Sequence, residues 1–227
     1  MLKTISEAAT RLSSVFDRHW TPSYAQEGED RILWRLLEGE PPGFYVDVGA
    51  HHPRRFSNSY LFYRAGWSGL TVDADPDAAP LFARQRPRDL HVCAGVAEAP
   101  GRLTYYRFDE SALNTFDAPL AAERAKLPRY RALAPLTVEV TTLAALLHRH
   151  VPAGREIGFL SVDVEGYDAR VLRSSDWQAY RPRYVLAESL GASLATLAGD
   201  ECCACLRSVG YEPFAKTVQT VIYRRAT

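Results

Sequence analysis

The sequence predicts a single α/β domain built on a doubly wound, Rossmann-like sheet that is mostly parallel and ends in an antiparallel strand pair. Short apolar runs alternate with segments of helical periodicity, which is the pattern of repeated strand–helix units. One run, over 44–50, reads F-Y-V-D-V-G-A and has an aspartate close to its end. The next, over 69–73, ends in an aspartate. Open α/β sheets bind ligands at the carboxyl ends of their strands, so we expect the functional site at this edge.

The predicted elements follow one another in chain order, and glycine or proline marks most helix ends. Gly66 and Pro87, for example, follow the second and third predicted helices. Helices are predicted over 29–37, 58–65, 77–85, 143–150, 169–172 and 194–209. Strands are predicted where β-branched and aromatic residues cluster, over 44–48, 69–73, 90–94, 103–108, 136–140, 158–163, 184–188, 211–215 and 218–223.

The segment 109–135 fits neither pattern. It contains several prolines and arginines and has little periodicity. Long irregular segments inside a compact domain are usually lids or binding loops. We therefore expect 109–135 to resemble a lid and to take part in substrate selection.

Length and charge limit the functional classes. At 227 residues the chain is long enough for one such domain and short for two. The chain has 27 basic residues (lysine plus arginine) and 27 acidic residues (aspartate plus glutamate), which gives a formal net charge of +0. This balance argues against a nucleic-acid partner, which would require a basic patch. No apolar stretch approaches the ~20 residues of a membrane span.

The N-terminal segment 1–22 is predicted to be an amphipathic helix in front of a domain over 23–227. Charged residues interrupt it too often for a secretory signal. Such a helix docks on its own domain or on a second subunit, so a homodimer is one expectation. The four cysteines lack the paired spacing of a zinc site. We expect reduced thiols and a cytoplasmic location.

The turn after the first strand favours S-adenosylmethionine over a dinucleotide. A nicotinamide fingerprint requires three glycines in this turn, whereas positions 49–53 read G-A-H-H-P. Pro53 also lacks a backbone donor, so a pyrophosphate has no evident cradle. S-adenosylmethionine needs only room for its amino-acid tail and an acid for its ribose, and Asp73 ends the next strand.

Asp163 and Glu188 are the main catalytic candidates, because they end two strands that should be neighbours in the sheet. Transfer of a methyl group from a sulfonium needs a nucleophile; if that nucleophile were an alcohol, it would need a general base or a divalent cation that lowers the pKa of its hydroxyl, and both routes stay open. Clustered carboxylates suit Mg²⁺, so Asp163 and Glu188 are also the candidate metal ligands. Glu165 and His51 are further catalytic candidates; a turn-forming role for Glu165 and a structural role for His51 stay open.

The ordered set of motifs resembles the FkbM-type methyltransferases over about 23–223. The matching segments are S-Y-A-Q-E-G-E-D at 23–30, D-V-G-A at 47–50, Asp73 with Pro76, S-V-D-V-E-G-Y-D-A-R-V-L at 161–172, and 182–188. This resemblance implies a class I, S-adenosylmethionine-dependent methyltransferase that typically acts on a hydroxyl oxygen.

The resemblance also implies residue roles. The turn at 47–51 would lie beside the methionine part of the cofactor, Asp73 would bind the ribose, Gly95 and Val96 would flank the adenine, and 26–27 would close the pocket. The cofactor-binding candidates are Gln26, Glu27, Asp47, Gly49, Ala50, His51, Asp73, Ala74, Gly95, Val96 and Asp163.

The leading hypothesis is therefore O-methylation of a hydroxyl on a sugar, glycan or natural product. Three alternatives stay open. The first is N-methylation by the same fold, since a neutral amine needs little activation. The second is a cofactor-binding or scaffold member of the fold without catalysis. The third is a nicotinamide oxidoreductase.

Overall fold

The structure is a computed structural model that describes residues 21–226, and the predicted N-terminal helix falls on residues outside this range. The helices are α1 Glu29–Leu37, α2 Tyr60–Arg64, α3 Ala79–Gln85, α4 Ala118–Arg124, α5 Leu143–His150, α6 Asp168–Arg173 and α7 Glu201–Ser208. The strands are β1 Phe44–Val48, β2 Ser68–Asp73, β3 Leu90–Cys93, β4 Gly95–Val96, β5 Gly101–Tyr105, β6 Leu136–Thr141, β7 Phe159–Val162, β8 Tyr184–Glu188, β9 Tyr211–Lys216 and β10 Thr220–Arg225. Short 3₁₀ turns occur at Ser111–Leu113 and Leu197–Gly199.

The main sheet has the predicted doubly wound topology. Within residues 21–226 its strand order is β3-β2-β1-β7-β8-β10-β9. Neighbouring strands are parallel from β3 to β8, whereas β10 runs antiparallel to both β8 and β9. The chain leaves β1 toward β2 and β3 and later returns on the other side of β1 with β7. The topological switch point therefore lies between β1 and β7, where a ligand crevice is expected.

Helices cover both faces of this sheet. Val46 and Val48 of β1 pack into a core shared with α5, α6 and α7, while Tyr45 packs on the opposite face with α1 and α2. Successive side chains of a strand point to opposite faces. Strands buried on both faces read as nearly continuous apolar runs, which is why these strands could be located from sequence.

A second, three-stranded sheet has the order β4-β6-β5. Strands β5 and β6, which overlap the strands predicted over 103–108 and 136–140, pair antiparallel. Strand β4 was not expected; it runs parallel to β6 and immediately follows β3. The chain thereby carries Gly95 and Val96 along the carboxyl edge of the main sheet.

The segment 109–135 is more ordered than its sequence suggested, because it contains a 3₁₀ turn and the helix α4. The Asp117 carboxylate accepts a hydrogen bond from the Leu120 amide at 2.8 Å and caps α4, and Pro119 occupies the first turn. Proline is tolerated there because that amide has no helical partner. The helix was missed because it is short and its apolar face is small.

The cysteines Cys93, Cys202, Cys203 and Cys205 are free thiols. Cys202 and Cys203 lie on the buried side of α7 and pack in the core. They therefore contribute to packing as small apolar side chains. In the part of the chain that the structure describes, no helix has both the length and the apolar character needed to cross a membrane.

Candidate cofactor cleft and carboxylate cluster

A sharp turn at Gly49 brings the ends of β1 and β7 into contact. Gly49 has a φ of 79°, and a Cβ atom there would lie 1.7 Å from the carbonyl oxygen of Asp163. Only glycine fits such a close backbone approach. The Gly49 amide donates to the Val72 carbonyl at 2.9 Å, which ties the same turn to β2.

A cleft opens above this turn, at the switch point of the sheet. It contains about 650 Å³ of empty space, including solvent at its mouth. Ligand pockets typically span roughly 300–1,000 Å³. The predicted site residues that line it are Gln26, Gly49, His51, Asp73, Ala74, Gly95, Val96, Asp163 and Glu165.

Asp73, at the end of β2, presents its carboxylate to one end of the cleft. Its Oδ2 accepts a hydrogen bond from the His51 amide at 2.7 Å, and its Oδ1 accepts one from the Asp75 amide at 2.8 Å. Each oxygen keeps a further lone pair. Burial raises the Asp73 pKa to about 6, against the opposing effect of the two amides. The group is therefore ionised at neutral pH and can accept two more hydrogen bonds.

The neighbouring wall of the cleft is largely aromatic. The rings of Tyr105 and Phe116 have centroids 4.8 Å apart, and both residues line the cleft. A Cβ atom at Gly95 would lie 2.7 Å from the Phe116 ring, so glycine is needed for the chain to pass beneath it. Such a wall suits a planar aromatic group.

Three carboxylates meet at the other end of the cleft, and we call Asp163, Glu165 and Glu188 the carboxylate cluster. One oxygen from each lies within 4.8 Å of the others. Glu165 has a φ of 55° and Gly166 a φ of 89°, so a tight turn after β7 brings Glu165 back toward Asp163. Asp163 and Glu165 line the cleft, whereas Glu188 lines the two adjoining grooves.

The carboxylate cluster is poorly compensated. Glu165 pairs with Arg124, but within residues 21–226 the buried Oε2 of Glu188 has no hydrogen-bond partner. Burial and then the neighbouring carboxylates raise the pKa of both Asp163 and Glu188. Burial also raises the Glu165 pKa, and the Arg124 charge opposes that shift. A set of oxygen donors with an unpartnered member fits a hard divalent cation as well as it fits proton exchange.

Three predicted cofactor residues do not line the cleft. Asp47 accepts a hydrogen bond from the Ser59 hydroxyl, because it alternates with Val46 and Val48 and therefore faces the other side of the sheet. Ala50 packs against α3, in a small apolar cluster. Glu27 accepts a hydrogen bond from the Gln219 backbone amide at 2.9 Å and so joins the segment before α1 to the hairpin of β9 and β10.

His51 does line the cleft, and its imidazole is neutral at physiological pH. Burial, together with the Arg55 charge, lowers the His51 pKa to about 4. Its Nδ1 lies 3.5 Å from the Ser111 hydroxyl, and within the described residues its buried Nε2 has no partner. A free ring nitrogen at the cleft leaves His51 available to a ligand.

A buried network that the sequence analysis missed lies beneath the site. We call Arg86, Asp89, Tyr45, Ser57 and Ser59 the Arg86 cluster. Arg86 donates to Asp89 at 2.7 Å, to the Tyr45 hydroxyl at 2.8 Å and to the Ser59 hydroxyl at 2.9 Å. The spacing of Arg86 and Asp89 indicated a local ion pair, but nothing in the sequence indicated its complete burial.

The cleft wall from the segment 111–116 was also missed. Ser111, Ala112, Asn114 and Phe116 line the cleft next to Tyr105. They reach it because Thr115 forms an isolated antiparallel bridge with Tyr106, the residue that follows β5. Part of the segment 109–135, which we expected to resemble a lid, therefore lines the same cleft as Asp73.

The chain matches one family model, described as a methyltransferase FkbM domain, over residues 47–213. No curated protein matches it.

Several solved methyltransferase structures are similar in fold. A 1,6-didemethyltoxoflavin-N1-methyltransferase of Burkholderia thailandensis, with bound 1,6-didemethyltoxoflavin and S-adenosylhomocysteine, is 14% identical, with 100% of this chain and 89% of that chain covered and a TM-score of 0.46. A precorrin-6y C5,15-methyltransferase of Geobacter metallireducens is 10% identical, with coverage of 92% and 96% and a TM-score of 0.47. A TehB-like methyltransferase of Corynebacterium glutamicum is 13% identical, with coverage of 99% and 100% and a TM-score of 0.40. Likenesses this distant say nothing about the substrate of this chain.

Proposed function

The chain belongs to the FkbM methyltransferase family, and from that premise we propose that it transfers the methyl group of S-adenosylmethionine to a hydroxyl oxygen of a small molecule or glycan. One observation carries the proposal. A single cleft has a buried, ionised acid, Asp73, at one end and borders the carboxylate cluster at the other. The first feature suits the ribose of the cofactor, and the second suits activation of an alcohol.

We propose one direction for the cofactor in the cleft. We assign the ribose hydroxyls to the two remaining lone pairs of Asp73, and the adenine to the wall formed by Gly95, Tyr105 and Phe116. The amino-acid tail then extends toward the turn at Gly49. This direction points the methyl-bearing sulfur toward Asp163, which lines the same cleft.

The carboxylate cluster would then act on the acceptor. S-adenosylmethionine supplies an electrophilic methyl group, and its sulfur keeps the electron pair of the broken carbon–sulfur bond. In its ionised form, Asp163 or Glu188 accepts the proton that the hydroxyl loses as its oxygen bonds to the methyl carbon. Such positioned proton transfer contributes typically 10²–10⁴-fold to a rate.

Mg²⁺ is the alternative activator at the same atoms. The oxygens of Asp163, Glu165 and Glu188 would hold it, and its charge would lower the pKa of the acceptor hydroxyl. A chelator distinguishes the two routes, because general-base catalysis by the carboxylates survives metal removal.

An isotope experiment tests the proposal. The protein is incubated with S-adenosylmethionine that carries a ¹³C methyl group and with pools of hydroxylated sugars and natural products, and the products are examined by carbon NMR. We expect a methyl ether carbon, and we expect its yield to fall at least about 10²-fold in Asp163→Asn. Glu156→Gln is the control, since Glu156 is an exposed acid preceding the opposite end of β7.

The other outcomes identify the rival functions. A methylamine carbon instead of a methyl ether would establish N-methylation. Binding of S-adenosylhomocysteine without transfer to any pool would favour a non-catalytic member of the fold. Absence of S-adenosylhomocysteine binding, with binding of NAD⁺ in its place, would overturn the assignment of the cofactor.

A further inference from the structure

A second groove meets the carboxylate cluster at Glu188, a residue that does not line the cofactor cleft. It lies between α6 and the start of α7, at the carboxyl ends of β7 and β8, and contains about 1210 Å³ of empty space with its open mouth included. Glu188 lines this groove and also lines the gap that contains Asp163. A molecule in the groove therefore reaches the cluster without entering the cofactor cleft.

The walls of this groove carry more negative than positive side chains. The basic ones are Arg170 and Arg173, and the acidic ones are Glu98, Asp117, Asp168, Glu188, Asp200 and Glu201. Both arginines are already engaged. Arg173 pairs with Glu98 and Glu201, and Arg170 lies over the Tyr167 ring and donates to its hydroxyl at 2.8 Å.

The remaining acids lack a cationic partner among the described residues. Asp117 caps α4, and Asp168 accepts hydrogen bonds from backbone amides only. Asp200 caps α7 through the Cys203 amide at 2.9 Å and accepts from the Ser189 hydroxyl at 3.1 Å. None of these partners neutralises a charge.

Glu188 indicates that the missing partner belongs to a ligand. Only 8% of the residue is exposed, and its Oε2 has no hydrogen-bond partner within residues 21–226. A buried carboxylate oxygen without a donor is costly for the folded protein, and it is retained where something binds it. The residue that carries this oxygen lines both the groove and the gap beside Asp163.

We propose that this groove is the acceptor site and that the acceptor is an amine-bearing polyol, such as an amino sugar, whose ammonium group supplies the missing cation. The inference rests on the proposed function. The ammonium is held by the unpaired acids of the groove, with Asp200 foremost among them. A hydroxyl of the same molecule then lies against Glu188 and faces the cofactor across the carboxylate cluster.

Calorimetric titration of the complex with S-adenosylhomocysteine tests the groove. The probes are triglucosamine, which carries an ammonium group on every ring, and cellotriose, which has the same linkage and only hydroxyls. We expect triglucosamine to bind at least about tenfold more tightly than cellotriose, since charge-assisted hydrogen bonds contribute that much. Equal affinity, or no binding of triglucosamine, would overturn the proposal.

The variant Asp200→Asn separates charge from folding, because asparagine caps a helix as well as aspartate does. We expect it to weaken triglucosamine binding by about tenfold and to leave cellotriose unaffected. The matched control is Asp176→Asn. Asp176 also accepts backbone amides, from Gln178 and Ala179, but lies outside the groove.

Two controls show which of the two proposals a negative result contradicts. Binding of S-adenosylhomocysteine is measured first. If it is absent, the proposed function is wrong. If it is intact while Asp200→Asn leaves triglucosamine binding unchanged, only the assignment of the groove is wrong. A titration with MgCl₂ alone is the second. If Mg²⁺ abolishes triglucosamine binding and binds the Asp200→Asn variant as tightly as the wild type, the missing cation is a metal ion, and the proposal is wrong.

Discussion

The Arg86 cluster and the carboxylate cluster are both buried and both polar, yet they are built in opposite ways. In the Arg86 cluster a fixed guanidinium lies among a carboxylate and three hydroxyls, and each group has a partner. In the carboxylate cluster three acids share one arginine, Arg124, at its edge, and an oxygen of Glu188 has no partner within residues 21–226.

The difference separates a structural role from a functional one. A charge can be buried when opposite charge and hydrogen bonds accompany it. If one partner is removed, the remaining buried charge loses that compensation and its desolvation destabilises the fold. A cluster of like charges without compensation destabilises the fold and clusters of this kind concentrate at functional sites. Substitutions should therefore lower stability in the first cluster and activity in the second.

The largest effect is expected for Glu188→Gln. Methyl transfer should fall by about 10²–10⁴-fold because a member of the proton-accepting set is lost. The free energy of unfolding should stay the same or rise, since an uncompensated buried acid becomes a neutral amide. Urea denaturation beside a ¹³C methyl-transfer assay measures both. A large loss of stability in this variant would break the comparison.

Arg86→Met should show the reverse. We expect a loss of about 3–5 kcal/mol in the free energy of unfolding, because Asp89 would stay buried without its partner. Urea denaturation measures the loss. Arg149→Met is the control: Arg149 is exposed, and surface substitutions usually change stability by no more than about 0.5 kcal/mol. An Arg86→Met variant as stable as the control would show that compensation is not what this cluster provides.

Cofactor affinity should depend on pH through Asp73. Its pKa is raised to about 6 by burial, and the ionised form accepts hydrogen bonds from both ribose hydroxyls. Affinity for S-adenosylhomocysteine should therefore fall as the pH drops through about 6, and this step should be absent in Asp73→Asn. Without ligand the sign is opposite: because the folded pKa lies above the usual aspartate value of 3.8, this group's contribution to stability falls as pH rises toward 6.

Calorimetric titrations between pH 5 and 8 measure that dependence. The Asp73→Asn variant should bind about tenfold more weakly at pH 8, as expected for the loss of charge-assisted hydrogen bonds. A wild-type affinity that is flat across this range would mean that the ribose does not bind to Asp73.

Ser59→Ala should lower the free energy of unfolding less than Arg86→Met does. The Ser59 hydroxyl accepts from Arg86 at 2.9 Å, donates to Asp47 and lies 3.4 Å from the Ser57 hydroxyl. Its removal breaks these contacts but leaves the Arg86–Asp89 pair intact. We expect a loss of about 1–3 kcal/mol in urea denaturation. A loss as large as that of Arg86→Met would show that the hydroxyl, rather than the ion pair, holds the cluster together.

The parts of the site that could be predicted depend on local pattern. Asp73 and Asp163 were located because each follows an apolar run, and parallel strands end at a common edge. Gly49 was located because a glycine after such a run indicates a close backbone approach. These arguments need only a few neighbouring residues, and the same reasoning gave the bounds of β1 and β8.

The parts that were missed depend on contacts between distant residues. Asp47 was assigned to the cofactor although its alternation with Val46 and Val48 already turned it to the other face. Burial of Arg86 depends on Tyr45, which is distant in sequence and joins it only when β1 lies in the sheet. The wall at 111–116 depends on the bridge between Thr115 and Tyr106, and no local periodicity in the sequence predicts that bridge.

A crystal structure with S-adenosylhomocysteine tests the central claim most directly, because it locates both ends of the cofactor at once. We expect the ribose hydroxyls within about 3.2 Å of the Asp73 oxygens and the sulfur directed toward Asp163. The adenine should lie against Phe116. A ligand bound outside this cleft, or bound with its sulfur at Gly95 and its adenine at Asp163, would contradict the account.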